Sequence, residues 1–553
     1  SGRILTGYTY DAEGNKVSQK DLTGKETGYW YDFSGRLTAV TDGEKTLAEY
    51  VYSASGNPVV KKIGGNITST YGYDELLNIK ALKTETEKQT LADNHYFYDG
   101  NGNQIRREGL EGITGYVYDG RNRLTEISYP SALGGYTEKL GYDAAGNRIR
   151  RETEQEITTY RYDNCNRLQE LHREYKNTET STAQPEMIRY TYDRQGNMLS
   201  EGEKKYSYDS FGRMVRAEIP MEHRGASNKP DEHAGFNHAA QSTGETFGIQ
   251  ENSSATREFQ VQINRYDGEG LRHEMEENGR LIKFLYNEDR EVVAEETGNG
   301  TITRYIRGLG IISSDSEEAK TYYHYVSDEQ GSITHVLSED AEILNHYSYD
   351  AFGNIIQKTE KVENRFCYNG EMLDPVTQQY YLRARFYNPV IGRFTQEDTY
   401  YGDGLNLYQY CQANPVGYVD PSGHTCEIVQ NHYKQYQEYR KQHPKANAAE
   451  AYEAVTGKNP LKKDAGKSGS KTIKNVEAPI LPEGSSWERN VLNSFAGGKS
   501  NSVTYGGGTT LYRVGGKNGG FWSLDPPPAT EYQWRVDTAI KQEFCNDAST
   551  LYK

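Results

Sequence analysis

The sequence predicts a mainly β protein, a continuous coiling sheet of stacked hairpins followed by a small α+β domain. Three observations carry that expectation. A short tyrosine-centred phrase recurs through the first two thirds of the chain, 47 of its 553 residues are Tyr against 14 Phe, and Gly is far commoner than Pro, 56 against 16. Tyr offers a large apolar face with a hydroxyl that needs a partner, which suits half-buried positions on extended strands. A chain this long exceeds one hydrophobic core, so several domains or a repeat array are required.

The repeat is explicit. Tyr8-Thr9-Tyr10-Asp11-Ala12-Glu13-Gly14-Asn15 returns as Tyr29-Trp30-Tyr31-Asp32-Phe33-Ser34-Gly35-Arg36, and again around Tyr52, Tyr73, Tyr98, Tyr118, Tyr142, Tyr162, Tyr192, Tyr208, Tyr266 and Tyr349. From Tyr10 through Tyr73 the period is 21 residues, after which it drifts. Tyr-x-Tyr alternation puts both rings on one face of a strand. The Asp can accept amides two residues on, and the Gly takes a positive φ at little cost, so Asp-x-x-Gly-Asn/Arg reads as a turn. A short alternating strand such as Arg36-Leu37-Thr38-Ala39-Val40 then returns. No unit can bury its aromatic face alone, so the units must stack.

Tyr-Asp repeats of this spelling resemble those of Rhs proteins, Tc-toxin C components and teneurins. The resemblance covers residues 1–424. It implies that residues 1–365 spiral into a hollow shell which, in bacterial members, encloses the C-terminal polypeptide. A solid β-solenoid scaffold with nothing inside is the plainer alternative. Residues 220–258 depart from the pattern, with few apolar residues and no Tyr, and read as an inserted loop. The opening Ser1-Gly2-Arg3-Ile4-Leu5-Thr6 matches the end of a repeat, which suggests a longer parent protein.

A second segment, 366–424, changes character. It runs through Tyr380-Tyr381-Leu382-Arg383-Ala384-Arg385-Phe386-Tyr387-Asn388-Pro389, Gly392-Arg393-Phe394-Thr395-Gln396-Glu397-Asp398 and Asn406-Leu407-Tyr408-Gln409-Tyr410 to Asp420-Pro421-Ser422-Gly423-His424. It resembles the Rhs core-associated segment, which plugs the shell and acts as an intramolecular aspartyl protease. The resemblance implies that Asp398 and Asp420 are the carboxylate pair, that Arg385 is the supporting cation, and that the cut falls near His424 and frees the C-terminal toxin. Two carboxylates held close do not both ionise easily, so one keeps a proton as acid while the other activates water. Relatives usually carry Leu where this chain has His424, so the cut could follow His424, shift or fail. Without any resemblance, Asp420-Pro421-Ser422-Gly423 is an ordinary turn and Asp398 a residue that bonds backbone amides.

Beyond residue 424 the composition shifts: residues 425–553 hold 17 Lys and Arg against 13 Asp and Glu, a net of +4 in a chain whose formal charge is −16. Such an acidic remainder argues against nucleic-acid binding by the shell. Residues 425–480 read as a helical pre-toxin segment and linker, with helices at 427–440 and 446–455 separated by Pro444 and a flexible stretch at 466–471. Residues 481–553 read as the toxin domain: a short helix from Ser486, a strand through Tyr512-Arg513, a strand Gly520-Phe521-Trp522-Ser523, and a helix over 531–544. This order resembles the front half of ADP-ribosyltransferase-like, NAD-consuming toxins. The resemblance implies that Arg513 grips NAD and that Ser523 organises the nicotinamide pocket. An Arg fork is suited to phosphate. The family's later catalytic strand is not found before Lys553, so the domain is truncated or the assignment is wrong. The plain alternative makes Arg513 a surface strand residue and Trp522 a core residue.

A nuclease or deaminase effector is the second possibility, against which stands the absence of a zinc-deaminase pattern and the presence of only His432 and His443 in this region. A teneurin-like adhesion scaffold without an enzyme is the third. The five cysteines (Cys165, Cys367, Cys411, Cys426 and Cys545) lack CxxC spacing and suggest neither a disulfide framework nor a metal site, although one bridge is possible. No cofactor is expected for the shell, with NAD entering as effector substrate. There is no apolar run of membrane length and no signal-peptide pattern. Expected partners are a secretion and delivery apparatus, a cognate immunity protein and a target-cell macromolecule, with the protein exported and its effector delivered into another cell.

Overall fold

A computed structural model of the chain describes residues 6–176, 184–221, 258–402 and 404–428, with the backbone alone of four further strands between residues 472 and 523. The chain divides into two compact units, one of residues 1–398 with 408–433 and one of residues 399–407 with 434–553.

The first unit is dominated by one 30-stranded antiparallel sheet that runs from Gly7–Tyr10 to Ile355–Glu360, each strand pairing with the next. The repeated Asp explains the regularity. In the first hairpin, Asp11 Oδ1 accepts the amide N–H groups of Glu13 and Asn15, at 3.0 and 2.8 Å, and Asp11 Oδ2 accepts the Asn15 side-chain amide at 2.9 Å. The same three bonds recur from Asp99 to Asn101 and Asn103, and from Asp193 to Gln195 and Asn197. Where Arg replaces Asn, its guanidinium donates instead, as Arg123 Nε does to Asp119 Oδ2 at 2.7 Å. Gly14, at φ +89°, completes the reversal.

In most units the two tyrosines face inward, as the alternation predicts, with Tyr10 of the first hairpin an exposed exception. The first is buried at Tyr29, Tyr50, Tyr96, Tyr116, Tyr160, Tyr190 and Tyr206, while intervening residues such as Trp30, Val51 and Val117 are exposed. A bulge precedes the second Tyr, as between Trp30 and Tyr31. That second hydroxyl donates to the carbonyl of the residue just past the preceding turn: Tyr31 to Lys16, Tyr52 to Leu37, Tyr118 to Gln104 and Tyr162 to Arg148, at 2.6–3.0 Å. These repeats are therefore tied laterally to their neighbours by a bond contributing about 1 kcal/mol, in addition to the ladder.

Two units that the repeat pattern passes over have the same geometry. Asn287 Oδ1 accepts the amides of Asp289 and Glu291, at 3.0 and 2.9 Å, and Asp328 Oδ1 accepts those of Gln330 and Ser332, at 3.0 and 2.8 Å. The predicted insertion lies between paired strands: Met214–Pro220 pairs with Phe259–Tyr266, with Pro220 opposite Phe259, and residues 222–257 lie outside the described residues.

The sheet curls until early and late strands share a core. Val40, Leu47, Tyr50 and Ile63 pack with Ile306, Ile312, Val326 and Leu337. At this seam Arg304 is buried and donates to Asp42 at 2.7 and 3.1 Å and to Asp315 at 3.0 Å, with Asp21 also on its Nε.

In the second unit, Thr472–Glu477, Lys499–Thr504, Thr510–Arg513 and Trp522–Ser523 form a four-stranded antiparallel sheet in chain order. The sheet thus begins before residue 480, inside the segment expected to be helix and linker. The helix expected to start at residue 427 is corrected at its first residues: Glu427–Ile428 is a strand paired with Tyr418–Val419, because the ladder satisfies backbone groups that a helical start would leave to water. The rest of that helix, those at 446–455 and 531–544, the one from Ser486, and the linker at 466–471 lie outside the described residues. Cys165 and Cys367 are free thiols. Among the described residues no helix is long and apolar enough to cross a membrane.

The seam gives a direct test. Replacing Arg304 with Ala strands the buried carboxylates of Asp42 and Asp315 and should lower stability by about 3–5 kcal/mol in denaturant titration. An unchanged midpoint would show that the seam does not depend on this cluster.

Candidate self-cleavage site

After the last repeat strand the chain crosses the sheet and is pinned to the hairpin ends. Thr395 O accepts the Met198 amide, Arg393 Nη2 donates to Asn166 O, Tyr408 Oη to Gly196 O, Gln409 Nε2 to Gly146 O, and Asn414 Nδ2 to Asn103 Oδ1, at 2.5–3.2 Å. The turn glycines make room for it. A Cβ at Gly196 would come within 2.4 Å of Glu397, and one at Gly146 within 2.8 Å of Gln409. A buried pair adds a deeper anchor, Arg272 donating to Asp374 through both terminal nitrogens, at 2.5 and 2.9 Å.

Within this segment, Met372–Leu373, Tyr380–Leu382, Arg385–Asn388 and Arg393–Phe394 form a small antiparallel sheet. Arg385 opens its strand opposite Leu382, and its guanidinium carbon sits over the Phe394 ring, 3.5 Å from the centroid. Thr395 and Gln396 are bonded to the backbone of Phe386, which fixes the start of the run to Asp398. The strands Tyr418–Val419 and Glu427–Ile428 close a loop over residues 420–426 that carries Asp420, Gly423 and His424.

The three residues expected to act together do meet. Arg385 Nη2 lies 2.7 Å from Asp398 Oδ2 and 3.7 Å from Asp420 Oδ2, and all three side chains are at most 5% exposed. Asp420 Oδ1 accepts the amides of Ser422, Gly423, His424 and Thr425, at 2.8–3.2 Å, and the Ser422 hydroxyl at 3.1 Å. So Asp420 does make the ordinary turn expected of it. Its Oδ2 is buried without a hydrogen-bond partner, which leaves that oxygen as the place for a proton. Burial pushes the Asp420 carboxyl above the usual carboxylate range, outweighing the downward pull of Arg385 and of the donors on Oδ1.

Two contacts were invisible in the sequence. His424 Nδ1 lies 2.7 Å from Asp398 Oδ1, and Arg385 Nε donates to the Gly423 carbonyl oxygen. The departure from Leu signalled His424 as unusual, but nothing in the spacing said that its ring reaches the first carboxylate. Gly423 is held at φ +74°, and a Cβ there would lie 2.2 Å from Leu382 O. Among the described residues no group of His, Cys, Asp and Glu is arranged to hold a metal ion. Arg513 and Ser523 sit on paired strands, Arg513 opposite Trp522 and Tyr512 opposite Ser523, and their side chains lie outside the described residues.

A sheet of Tyr-Asp hairpins crossed by a buried two-carboxylate segment defines the class of YD-repeat shell proteins. The chain belongs to the teneurin YD-shell family, which it matches over residues 64–223 and 246–416. Among curated proteins it is similar to the tRNA3(Ser)-specific nuclease WapA of Bacillus spizizenii, 32% identical over 386 residues that cover 66% of this chain and 16% of the relative. It is also similar to the double-stranded DNA deaminase toxin A of Burkholderia cenocepacia, 24% identical over 75% of this chain and 28% of the relative. The chain thus spans well under a third of either relative. Among solved structures, TcdB2-TccC3-TEV shares the fold, with a TM-score of 0.55 and 18% identity, over 76% of this chain and 21% of that one. These likenesses place the chain with the Rhs/YD-repeat polymorphic toxins, several of which are named for a toxic enzyme.

Gly423→Ala should undock the 420–426 loop, because the positive φ and the clash with Leu382 O act together at a cost of about 1–3 kcal/mol. Amide hydrogen exchange over residues 420–428 should rise; exchange as slow as in the parent chain would contradict the docked geometry.

Proposed function

We propose that this chain is the shell and release device of an exported polymorphic toxin, and that it cuts its own backbone beside His424 to free the C-terminal segment as an effector enzyme. The observation that carries the reading is one guanidinium nitrogen shared by two buried carboxylates, with the peptide at residues 423–424 pressed against them. Asp420, whose carboxyl burial shifts toward the protonated form, is the acid. Asp398, paired with Arg385, is the base that takes a proton from water. Division of labour between two carboxyl groups by their surroundings is the general solution to acid–base chemistry near neutral pH. The toxin name of one similar protein supports reading delivery into a target cell, a secretion apparatus and an immunity protein as this chain's context.

For the effector we propose NAD consumption, with Arg513 on the NAD phosphates and Ser523 at the nicotinamide. Support comes from the adjacency of their strands and from the Arg fork's suitability for phosphate. The second reading, a nuclease or deaminase, is favoured by the names of the two similar curated proteins.

The full chain should split on standing, while Asp420→Asn and Asp398→Asn should slow the split by about 10²–10⁴-fold, as loss of a general acid or base does. Denaturing gels read this, and an Asp420→Asn chain that splits like wild type refutes the acid. The rate should climb as pH falls through Asp420's raised value, since the protonated form is the active one; a rate that instead climbs with pH would contradict the assignment. The released piece should consume NAD and lose that activity in Arg513→Ala. Intact NAD alongside altered tRNA or double-stranded DNA would establish the second reading.

A further inference from the structure

We infer that the cavity beside the Asp328 turn binds a small alkylguanidinium compound, its planar cation held between Asp328 Oδ2 and the ring of Tyr349. The inference depends neither on self-cleavage nor on the effector.

The repeats themselves supply the template. Arg36, Arg123, Arg167 and Arg213 each stand four residues after a turn Asp, and each guanidinium does two things. Its Nε donates to Oδ2 of Asp32, Asp119, Asp163 or Asp209, at 2.7–2.8 Å. Its carbon also sits over the second tyrosine of the following unit, Tyr52, Tyr142, Tyr192 or Tyr266, 4.8–6.0 Å from the centroid. A carboxylate edge and an aromatic face together make a cation site, the one supplying charge and direction, the other its ring quadrupole.

The Asp328 turn keeps both halves of that arrangement and lacks the arginine. Its fourth residue on is Ser332, whose amide is on Asp328 Oδ1 and whose hydroxyl accepts the Asn369 amide at 3.1 Å. Among the described residues nothing donates to Asp328 Oδ2. Tyr349 is the second tyrosine of the following unit, and its hydroxyl donates to Ile333 O just as Tyr52 donates to Leu37 O. Asp267, followed by Leu271, shares the missing donor, but it is Asp328 that lines a cavity, together with Tyr349.

That cavity, of about 380 Å³, lies at the seam between strands Thr90–Tyr98, Gln104–Gly109 and Gly112–Tyr118 and strands Tyr322–Ser327, Ile333–Leu337 and Ile343–Tyr349. Its size is that of a small-molecule site. Glu111, Asp328, Glu329 and Asp350 line it against one cation, Arg107. Glu329 accepts the Tyr96 hydroxyl and Glu111 the Ser348 hydroxyl, both at 2.7 Å, and Asp350 closes its own turn through Asn354. His335, held down to about 3 by burial and by His346, adds no positive charge. Asp328 is the carboxylate left over, and burial together with Glu329 pushes it above the usual carboxylate range. A carboxylate withdrawn from water without a donor is costly, and a cation at Oδ2 offsets that cost. Leu91, Leu110 and Tyr116, which also line the cavity, suit an alkyl chain of a few carbons.

Calorimetric titration of the full chain with n-butylguanidine tests this, with n-butylurea as the neutral molecule of the same shape. The expected result is saturable binding of one butylguanidinium per chain, about tenfold or more tighter than butylurea. Asp328→Asn keeps the turn, since Asn287 closes its own with the same two amides, but removes the charge. It should weaken butylguanidinium about 10–100-fold, the loss of one charge-assisted hydrogen bond. Ser332→Arg rebuilds the arrangement of Arg36 and should abolish binding while retaining the parent denaturation midpoint; if it does not fold, Asp328→Asn decides alone. No saturable binding to the wild-type chain, butylurea bound as tightly, or unchanged affinity in Asp328→Asn would each overturn the inference. A Ser332→Arg chain that melts like the parent and still binds butylguanidinium would overturn it too.

Discussion

The aspartate at most of the repeat turns, replaced by Ser53 and Asn287 in two of them, is the constraint on which everything else depends. Its two oxygens take two main-chain amides and the side chain four residues on, so the turn is closed by five residues with no help from elsewhere. A turn closed this way fixes strand register, and register decides which face each side chain occupies. The tyrosines then fall inward on most units, and in units such as those of Tyr31, Tyr118 and Tyr349 the second hydroxyl finds the carbonyl past the preceding turn. Local chemistry repeated many times thus specifies a large sheet with no need for a large conventional core.

The same turns align their Gly-Asn ends, and that row is the platform for the candidate site. Asn103, Gly146, Asn166 and Gly196 each hold a different residue of the segment between Arg393 and Asn414. The segment is threaded across a surface that exists only once the hairpins are stacked. Arg385, Asp398 and Asp420 come from three different places along it, and docking brings them to one nitrogen. Burial there does two jobs at once: it raises the Asp420 carboxyl and it keeps Arg385 unscreened. On the proposed self-cleavage, the cut requires the folded chain, because the unfolded chain has no dyad.

Much of this was legible in the sequence, and the exceptions have physical causes. Tyr-x-Tyr-Asp-x-x-Gly-Asn/Arg gave strands, turn and facing correctly because each residue type has a distinct local job. The unit at Tyr286 escaped notice because Asn287 stands where Asp is expected, although its Oδ1 makes the same bonds. The unit at Asp328 escaped because Ser327 replaces Tyr, yet the turn needs only the carboxylate. Arg304 joins Asp42 and Asp21, 262 and 283 positions away, a pairing no local pattern can encode. Glu427–Ile428 read as helix because the Tyr418–Val419 partner is invisible to periodicity. The spacing from Arg385 to Asp398 to Asp420 was legible through the resemblance alone. The contact of His424 with Asp398 was not legible at all.

The claim that stacking the hairpins builds the cutting site within one chain is tested most directly by refolding the denatured chain over a wide range of concentrations and following the split with time. The account predicts no split in denaturant, and a first-order split on refolding whose half-time is the same at every concentration. A rate that grows with concentration, or a split that proceeds in the denatured chain, would contradict it.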